Sequence, residues 1–316
     1  MIKVGVDIMG GDFAPESTVK GVFKVLSVIP DTIKLVLYGD KAKINQIFTD
    51  NNQDISKVDI IHSTDDILMR DHPAKAFAKK QKSSIALGYK DLVTKKINAF
   101  ASAGNTGAML VGAMYTIKQI PGIIRPCITG PIPQLNGSYT LLLDVGLNPD
   151  CRPDVLLQYA ILGSLYSKNV YKINKPRVAL LNIGSEPEKG NLLAKATYDL
   201  LKDNNLINFV GNIEGNQMFD SNIADVVITD GFTGNVVLKQ AEAFYKIIKK
   251  RNITDKYFDK FNPEAYGGTP ILGVNGNAII GHGASNDEAI KNMILHTIDV
   301  AKADLTNKIK ETFKNV

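Results

Sequence analysis

One unit recurs along this chain: a short β-branched run, a corner of Gly, Asp, Asn or Ser, and a segment with helical spacing. It is met seven times, in VGVDIMGGDFAPES, LVLYGDKAK, AFASAGNTGA, LLLDVGLNPDCRP, VALLNIGSEPEKGN, ADVVITDGFTGN and AIIGHGASN. Strands that alternate with helices call for β-α-β crossovers and a mostly parallel sheet covered on both faces. A run such as VALLNI, apolar but for its one Asn, is what such a doubly covered strand needs. The expected fold is therefore α/β, a three-layer α/β/α arrangement. In a parallel sheet every strand-to-helix corner lies on the carboxyl edge, where ligands bind. With 316 residues, 44% of them hydrophobic, the chain can bury one large core, and no low-complexity tract or linker divides it. We read residues 1–316 as a single catalytic domain.

The final segment is the clearest helix, because Ile290, Met293, Ile294, Thr297, Ile298, Ala301 and Leu305 fall at spacings of three and four. Ser285 with Glu288, and Ser185 with Glu188, stand at capping-box spacing, and Pro15 suits a first helical turn. Two stretches break the rhythm. Residues 128–144 (ITGPIPQLNGSYTLLLD) read as two β segments about a Gly-Ser turn. Residues at about 244–268 mix charge with Tyr257, Phe258, Phe261 and Tyr266, and read as a surface excursion serving membrane or dimer contact.

No uncharged apolar stretch approaches the roughly 20 residues that cross a bilayer, so a soluble, cytoplasmic protein is expected. Cys127 and Cys151 lack metal-ligand spacing and read as free thiols. A net charge of +5 is too small to argue for nucleic acid. It does allow an acidic partner, met by Lys79, Lys80 and Lys82 or by Lys246, Lys249, Lys250 and Arg251.

A glycine corner that opens a helix presents unpaired main-chain N–H groups and the positive end of the helix dipole, which suits an anion. Gly104 to Gly107 is the leading corner of this kind. The P-loop pattern is absent, and VDIMGGD stands where a dinucleotide fingerprint would follow the first strand. Asp7, Asp12, Asp144, Asp230 and Glu186 end strands or open corners. They read as braces and helix caps rather than as metal ligands. His282 is the histidine at a corner and a candidate proton donor, whereas His296 falls on the polar face of the last helix.

Eight ordered blocks then carry a resemblance: VDIMGGDFAPE, DHPAKAFAKKQKSSIALG, ASAGNTGAML, LLLDVGLNPDCRPDVLLQYAILGSLYS, RVALLNIGSEPEKGN, NFVGNIEG, ADVVITDGFTGNVVLK and YGGTPILGVNGNAIIGHGASNDEAI. From Ile2 to about Asp304 the chain resembles the bacterial phosphate acyltransferase of phospholipid synthesis. The resemblance implies a phosphotransacetylase-like fold, related to isopropylmalate dehydrogenase. It implies transfer of a fatty acyl group from acyl carrier protein to inorganic phosphate, without a cofactor. It also implies a homodimer, attachment at the inner face of the membrane, and delivery of acyl phosphate to a membrane-bound glycerol-3-phosphate acyltransferase. Three features depart from the family: Phe13 where relatives carry His, Ala284 where relatives carry Ser, and a shorter stretch between Lys239 and Tyr266.

Phosphate is already an anionic nucleophile at neutral pH, so the chemistry asks for placement and for stabilisation of a tetrahedral oxyanion. The expected cradle comprises Gly104, Asn105, Thr106 and Gly107, with Asp230, Gly231, Thr233, Gly234 and Asn235. Gly10, Gly11 and Asp12 join it as substrate contacts. Lys189 is expected to compensate charge, with Lys82, Ser83 and Ser84 behind it, and His282 to protonate the leaving thiol. Two other functions fit the α/β pattern: an NAD(P)-dependent dehydrogenase, and a non-catalytic scaffold for carrier protein or membrane.

Overall fold

The structure, a computed structural model, describes residues 1–220 and 222–314. It divides into two compact units, 1–120 with 263–306, and 121–262 with 307–316. The chain begins β1 (Ile2–Asp7), α1 (Glu16–Leu26), β2 (Ile33–Gly39), α2 (Lys41–Asp50), β3 (Val58–His62), α3 (Pro73–Lys79), α4 (Ser84–Val93), β4 (Ala99–Ser102) and α5 (Thr106–Gly112). It continues with β5 (Cys127–Pro133), β6 (Tyr139–Leu143), α6 (Pro153–Asn169), β7 (Arg177–Leu181), α7 (Leu192–Lys202), β8 (Asn208–Ile213), β9 (Val226–Ile228) and α8 (Gly231–Lys250). Then come α9 (Pro263–Tyr266), β10 (Thr269–Leu272), β11 (Asn277–Ile280), α10 (Asp287–Lys302) and α11 (Leu305–Phe313).

In the first unit the strand order is β3-β2-β1-β4-β11-β10. All neighbours are parallel except β10 and β11. The second unit runs β5-β6-β9-β7-β8, parallel except where β5 meets β6. The mostly parallel α/β arrangement read from the recurring unit is what the chain adopts. The corners after β1, β2, β4 and β11 share the carboxyl edge of the first sheet, and those after β6, β7 and β9 share that of the second.

Helix packing follows the apolar stripes. α10 buries Ile290, Met293, Ile294, Thr297 and Ile298, and Gly21 of α1 lets that helix approach Ile290 within 2.5 Å of where a methyl would stand. Deeper in the first unit Tyr38, Phe100 and Tyr89 meet edge to face, with ring centroids 5.7 and 5.5 Å apart. In the second unit Leu142, Val145, Ala179, Ile213 and Val227 form a core cluster.

Residues 128–144 form the expected antiparallel pair, β5 with β6, and Gly137 turns the chain at a φ of +91°. The excursion is shorter than expected, because α8 runs on to Lys250. Beyond it Tyr257 packs on Phe261 with centroids 5.4 Å apart, and Lys260 Nζ donates to the Gly137 carbonyl at 2.6 Å. Two expected helix starts lie elsewhere. Asn286 rather than Ser285 caps α10, accepting from the Ala289 N–H. No helix begins at Ser185; Asn191 caps α7. In both places Asn accepts from the third residue of the helix, a role that Ser and Asn fill equally well. His296 is also corrected: it is half-buried rather than on an open polar face, and burial pushes its imidazole down to about 4. Among the described residues no helix is long and apolar enough to cross a membrane.

Candidate active site

Asp7 ends β1 and is 1% exposed. The Ser102 hydroxyl donates to its Oδ2 at 2.6 Å, the Met9 N–H to its Oδ1 at 3.0 Å, and Ser84 bonds it as well. Burial dominates and pushes the Asp7 carboxyl up from its ordinary value, while these bonds oppose the rise. Ser102 Oγ in turn accepts the Gly104 N–H at 2.9 Å, which ties the corner after β4 to the end of β1. Gly10 presses against the same place: a methyl there would overlap the Asp7 carboxylate and lie 2.6 Å from the Gly104 nitrogen. Gly11 follows at a φ of +112°, and the Asp12 N–H donates to the Gly283 carbonyl at 2.7 Å, which brings in the corner after β11.

Asn105 caps α5, its Oδ1 accepting the Ala108 N–H at 3.0 Å. Its Nδ2 donates to the carbonyls of Leu68, Met69 and Asp71 at 3.0, 3.3 and 3.0 Å. The carboxamide is thus spent on the protein. The main-chain N–H groups of Thr106 and Gly107 have no acceptor among the described residues. Ser83 caps α4, Ser84 reaches Asp7, and Lys82 stands exposed beside them. His282 is exposed, and its Nδ1 accepts the Ala284 N–H at 3.2 Å, which leaves the proton of the neutral ring on Nε2. The first unit therefore sets Gly10, Ser84 and Gly104 against one buried carboxylate, with Gly11, Asp12 and Asn105 next to them in the chain. The Gly283 contact adds the corner that carries His282.

The second unit builds its corner differently. Asp230 caps α8, accepting the Thr233 N–H at 2.8 Å and the Thr233 hydroxyl at 3.0 Å. Below it Asp144, fully buried at the end of β6, accepts the N–H groups of Ile128, Leu147 and Asn148 at 3.0, 3.0 and 2.6 Å. Burial pushes this carboxyl up as well. The Asn148 carbonyl then accepts the Gly231 N–H at 2.8 Å. A methyl on Gly234 would overlap the Asp144 carbonyl oxygen, and Asn235 Nδ2 donates to the Val145 carbonyl at 3.2 Å.

A cavity of about 280 Å³ lies beside Asp230 and Thr233, bounded across from them by Asn182, Gly190 and Asn191. It joins the corner after β7 to the corner after β9. Lys189 is exposed next to that wall, and its carbonyl accepts from Asn182 Nδ2 at 3.2 Å. Of the basic clusters, Lys80 is paired with Asp71 at 2.6 Å and Lys249 with Asp259 at 2.9 Å. Among the described residues no group of three or more His, Cys, Asp or Glu is placed to hold a metal ion. Sequence reasoning missed Ser102 and Asn148, which carry the bracing outward from the two aspartates. Asn148 has a local signal, four residues beyond Asp144, while Ser102 has none.

A family model described as fatty acid synthesis protein matches residues 2–253. The phosphate acyltransferase of Dictyoglomus turgidum is 38% identical over 334 residues, covering 100% of this chain and 98% of the relative. That of Halothermothrix orenii is 40% identical, covering 98% of each. Among solved structures, a phosphotransacetylase from Staphylococcus aureus aligns with a TM-score of 0.64 at 16% identity, covering 95% of this chain and 94% of its own. A branched-chain phosphotransacylase from Enterococcus faecalis aligns at 0.63 and 14%, covering 95% and 99%. These two share the three-layer α/β/α fold.

Proposed function

Since the chain belongs to the phosphate acyltransferase family, we propose that it moves a fatty acyl group from acyl carrier protein to inorganic phosphate, releasing acyl phosphate for glycerophospholipid synthesis. The observation that carries this reading is identity of 38% to a phosphate acyltransferase along the whole chain. A dehydrogenase or a bare scaffold has no comparable support.

In the reaction a phosphate oxygen forms a bond to the thioester carbonyl carbon, the carbonyl oxygen becomes an oxyanion, and the C–S bond then breaks as the thiol takes a proton. The free N–H groups of Thr106 and Gly107, on a corner held in place by Gly104, Gly10 and the Asp7 brace, are assigned to phosphate. Main-chain amides grip an anion without the full charge that would quench its attack. Gly11, Asp12, Lys82, Ser83 and Ser84 shape this end. The His282 Nε2–H hydrogen-bonds the leaving sulfur, whose thiolate takes up the proton that hydrogen phosphate gives up on becoming acyl phosphate. Asn105 acts through the loop it ties down rather than on the substrate. In the second unit the start of α8, with Asp230, Gly231, Thr233, Gly234 and Asn235, is assigned to the acyl thioester, and Lys189 to charge compensation. The same reading extends to a homodimer at the inner face of the membrane that hands its product to a membrane-bound glycerol-3-phosphate acyltransferase. Lys250 and Arg251 are offered to the acidic carrier.

The experiment mixes acyl-carrier thioester, phosphate and this protein, traps acyl phosphate with hydroxylamine and counts released carrier thiol. Equal, phosphate-dependent yields of hydroxamate and thiol are expected. Carrier that binds but never releases thiol would sink the proposal in favour of a scaffold.

A further inference from the structure

Resting on that reading, we propose that the cavity beside Asp230 receives the fatty acyl chain, and that Leu156, Leu180 and Ala194 set how much of the chain is held there. About 280 Å³ lies just under the roughly 300–1,000 Å³ of small-molecule pockets. Its aliphatic wall is Leu156, Leu180, Leu181, Ile183, Leu193 and Ala194. The polar side chains that share it are already committed to the protein. Asn182 Nδ2 donates to the Lys189 carbonyl and its Oδ1 accepts the Ile183 N–H, while Asn191 Oδ1 accepts the Ala194 N–H. Asp230 and Thr233 bond each other.

What remains for a ligand is mostly apolar surface, with the Thr229 hydroxyl and the Asn191 Nδ2 as lining side-chain groups without a partner among the described residues. No lysine or arginine lines the space, and the Asp230 carboxylate would repel an anion. Phosphate is therefore the wrong occupant, and so is an acidic peptide. An alkyl chain matches on both counts, because burying it against aliphatic walls is favourable and it brings neither charge nor polar group of its own that would need a partner. At the mouth Ile183 is 79% exposed and extends the apolar wall outward. The cavity opens beside the α8 corner assigned to the thioester, so the chain enters by its methyl end and its reacting carbonyl stays at the mouth.

The test compares butanoyl and hexadecanoyl carrier thioesters by hydroxylamine trapping in three proteins: the unaltered chain, Ala194→Phe, which fills the cavity, and Ile183→Asp at its mouth. The ratio of kcat/KM for hexadecanoyl over butanoyl should fall roughly tenfold or more in both variants. Ile183 is exposed, so its variant folds even where Ala194→Phe does not. A hexadecanoyl thioester carrying a diazirine at the chain end, photolysed on the unaltered protein, should label residues 180–194 or Leu156. A ratio unchanged in Ile183→Asp, or label elsewhere in the chain, overturns the inference. Label in the cavity without acyl phosphate from either thioester would instead retire the proposed reaction and leave the alkyl site standing.

Discussion

At the end of β1 the buried Asp7 takes its hydrogen bonds from the hydroxyls of Ser102 and Ser84 and from one nearby amide. At the end of β6 the equally buried Asp144 takes them from the main-chain N–H groups of Ile128, Leu147 and Asn148. Both carboxylates hold a glycine corner at a sheet's carboxyl edge, but the reach differs. Ser102 lies 95 residues from Asp7, while the amides that meet Asp144 lie within 16. The first brace ties together corners from distant parts of the chain and so depends on the whole unit being folded. The second is drawn from the loop after β6 and from the paired strand β5, and beside it the structure leaves a cavity. On the proposed reading the first corner grips a small anion, and its glycines pack against each other. On the same reading the second admits a bulky group, which needs room.

The largest effects should come from the glycines, and they separate the two designs. Alanine in an exposed helix gains up to about 1 kcal/mol over glycine. At Gly234 the sign reverses, because the methyl overlaps the Asp144 carbonyl oxygen, a main-chain atom that cannot swing aside. Gly234→Ala should destabilise by about 3 kcal/mol. Gly10→Ala meets the Asp7 carboxylate and the Gly104 nitrogen, and should cost about 2 kcal/mol. Gly215→Ala, with open space around it, is the control and should be near neutral. Urea midpoints report all three, and a Gly234→Ala midpoint at or above the parent would break the account of the second corner.

The same contrast decides what was legible in the sequence. Alternation of β-branched runs with helical spacing is a local property, so the α/β class, the antiparallel pair at residues 128–144 and the stripe of α10 could all be read. Glycines at strand ends marked the corners for the same reason. The division into two units could not be read, since residues 263–306 return to the first unit and only tertiary contacts say so. Nor could the partner of Asp7, because nothing near Ser102 announces a carboxylate from the first strand. Asn105 was legible as a corner residue but not in its role. Its three carbonyl acceptors lie 34 to 37 residues away on a loop without pattern. The cavity wall was missed because Leu156, Leu180 and Ala194 look like ordinary core positions until the fold leaves space between them.

Caps give the next effect and test whether Asn105 touches substrate or only positions it. Asn105→Ala loses a helix cap worth about 1 kcal/mol and also frees the loop at residues 68–71. Displacing the corner proposed to hold phosphate by an ångström would lower turnover roughly 10²-fold. Asn105→Asp keeps the cap acceptor but cannot donate to the three carbonyls, so it should lose turnover while keeping most of the helix stability. Asp230→Ala loses only a local cap, at about 1 kcal/mol, with a smaller loss of rate. Hydroxylamine-trapped product and thermal midpoints measured on the same samples separate rate from stability. Full activity in Asn105→Asp would show that the tie to residues 68–71 does not place the corner.

The smallest effect is in pH, and its sign is set by burial. Both aspartates have native carboxyl groups raised above the ordinary 3.8, so each holds its proton more tightly folded than unfolded. The stability this brings is complete below 3.8 and is lost as pH rises through the raised native value. Relative to Asp7→Asn or Asp144→Asn, whose amides do not titrate, the parent should therefore lose ground as the urea midpoint is followed from about pH 4 towards neutral. Asp7 should show the steeper loss. Desolvation there is reinforced by the nearby Asp66 charge, whereas at Asp144 several main-chain N–H groups favour the ionised form. A parent-minus-variant difference that stays flat or climbs with pH at Asp7 would mean that its hydroxyl partners outweigh its burial. The long-range brace would then be the better solvated of the two.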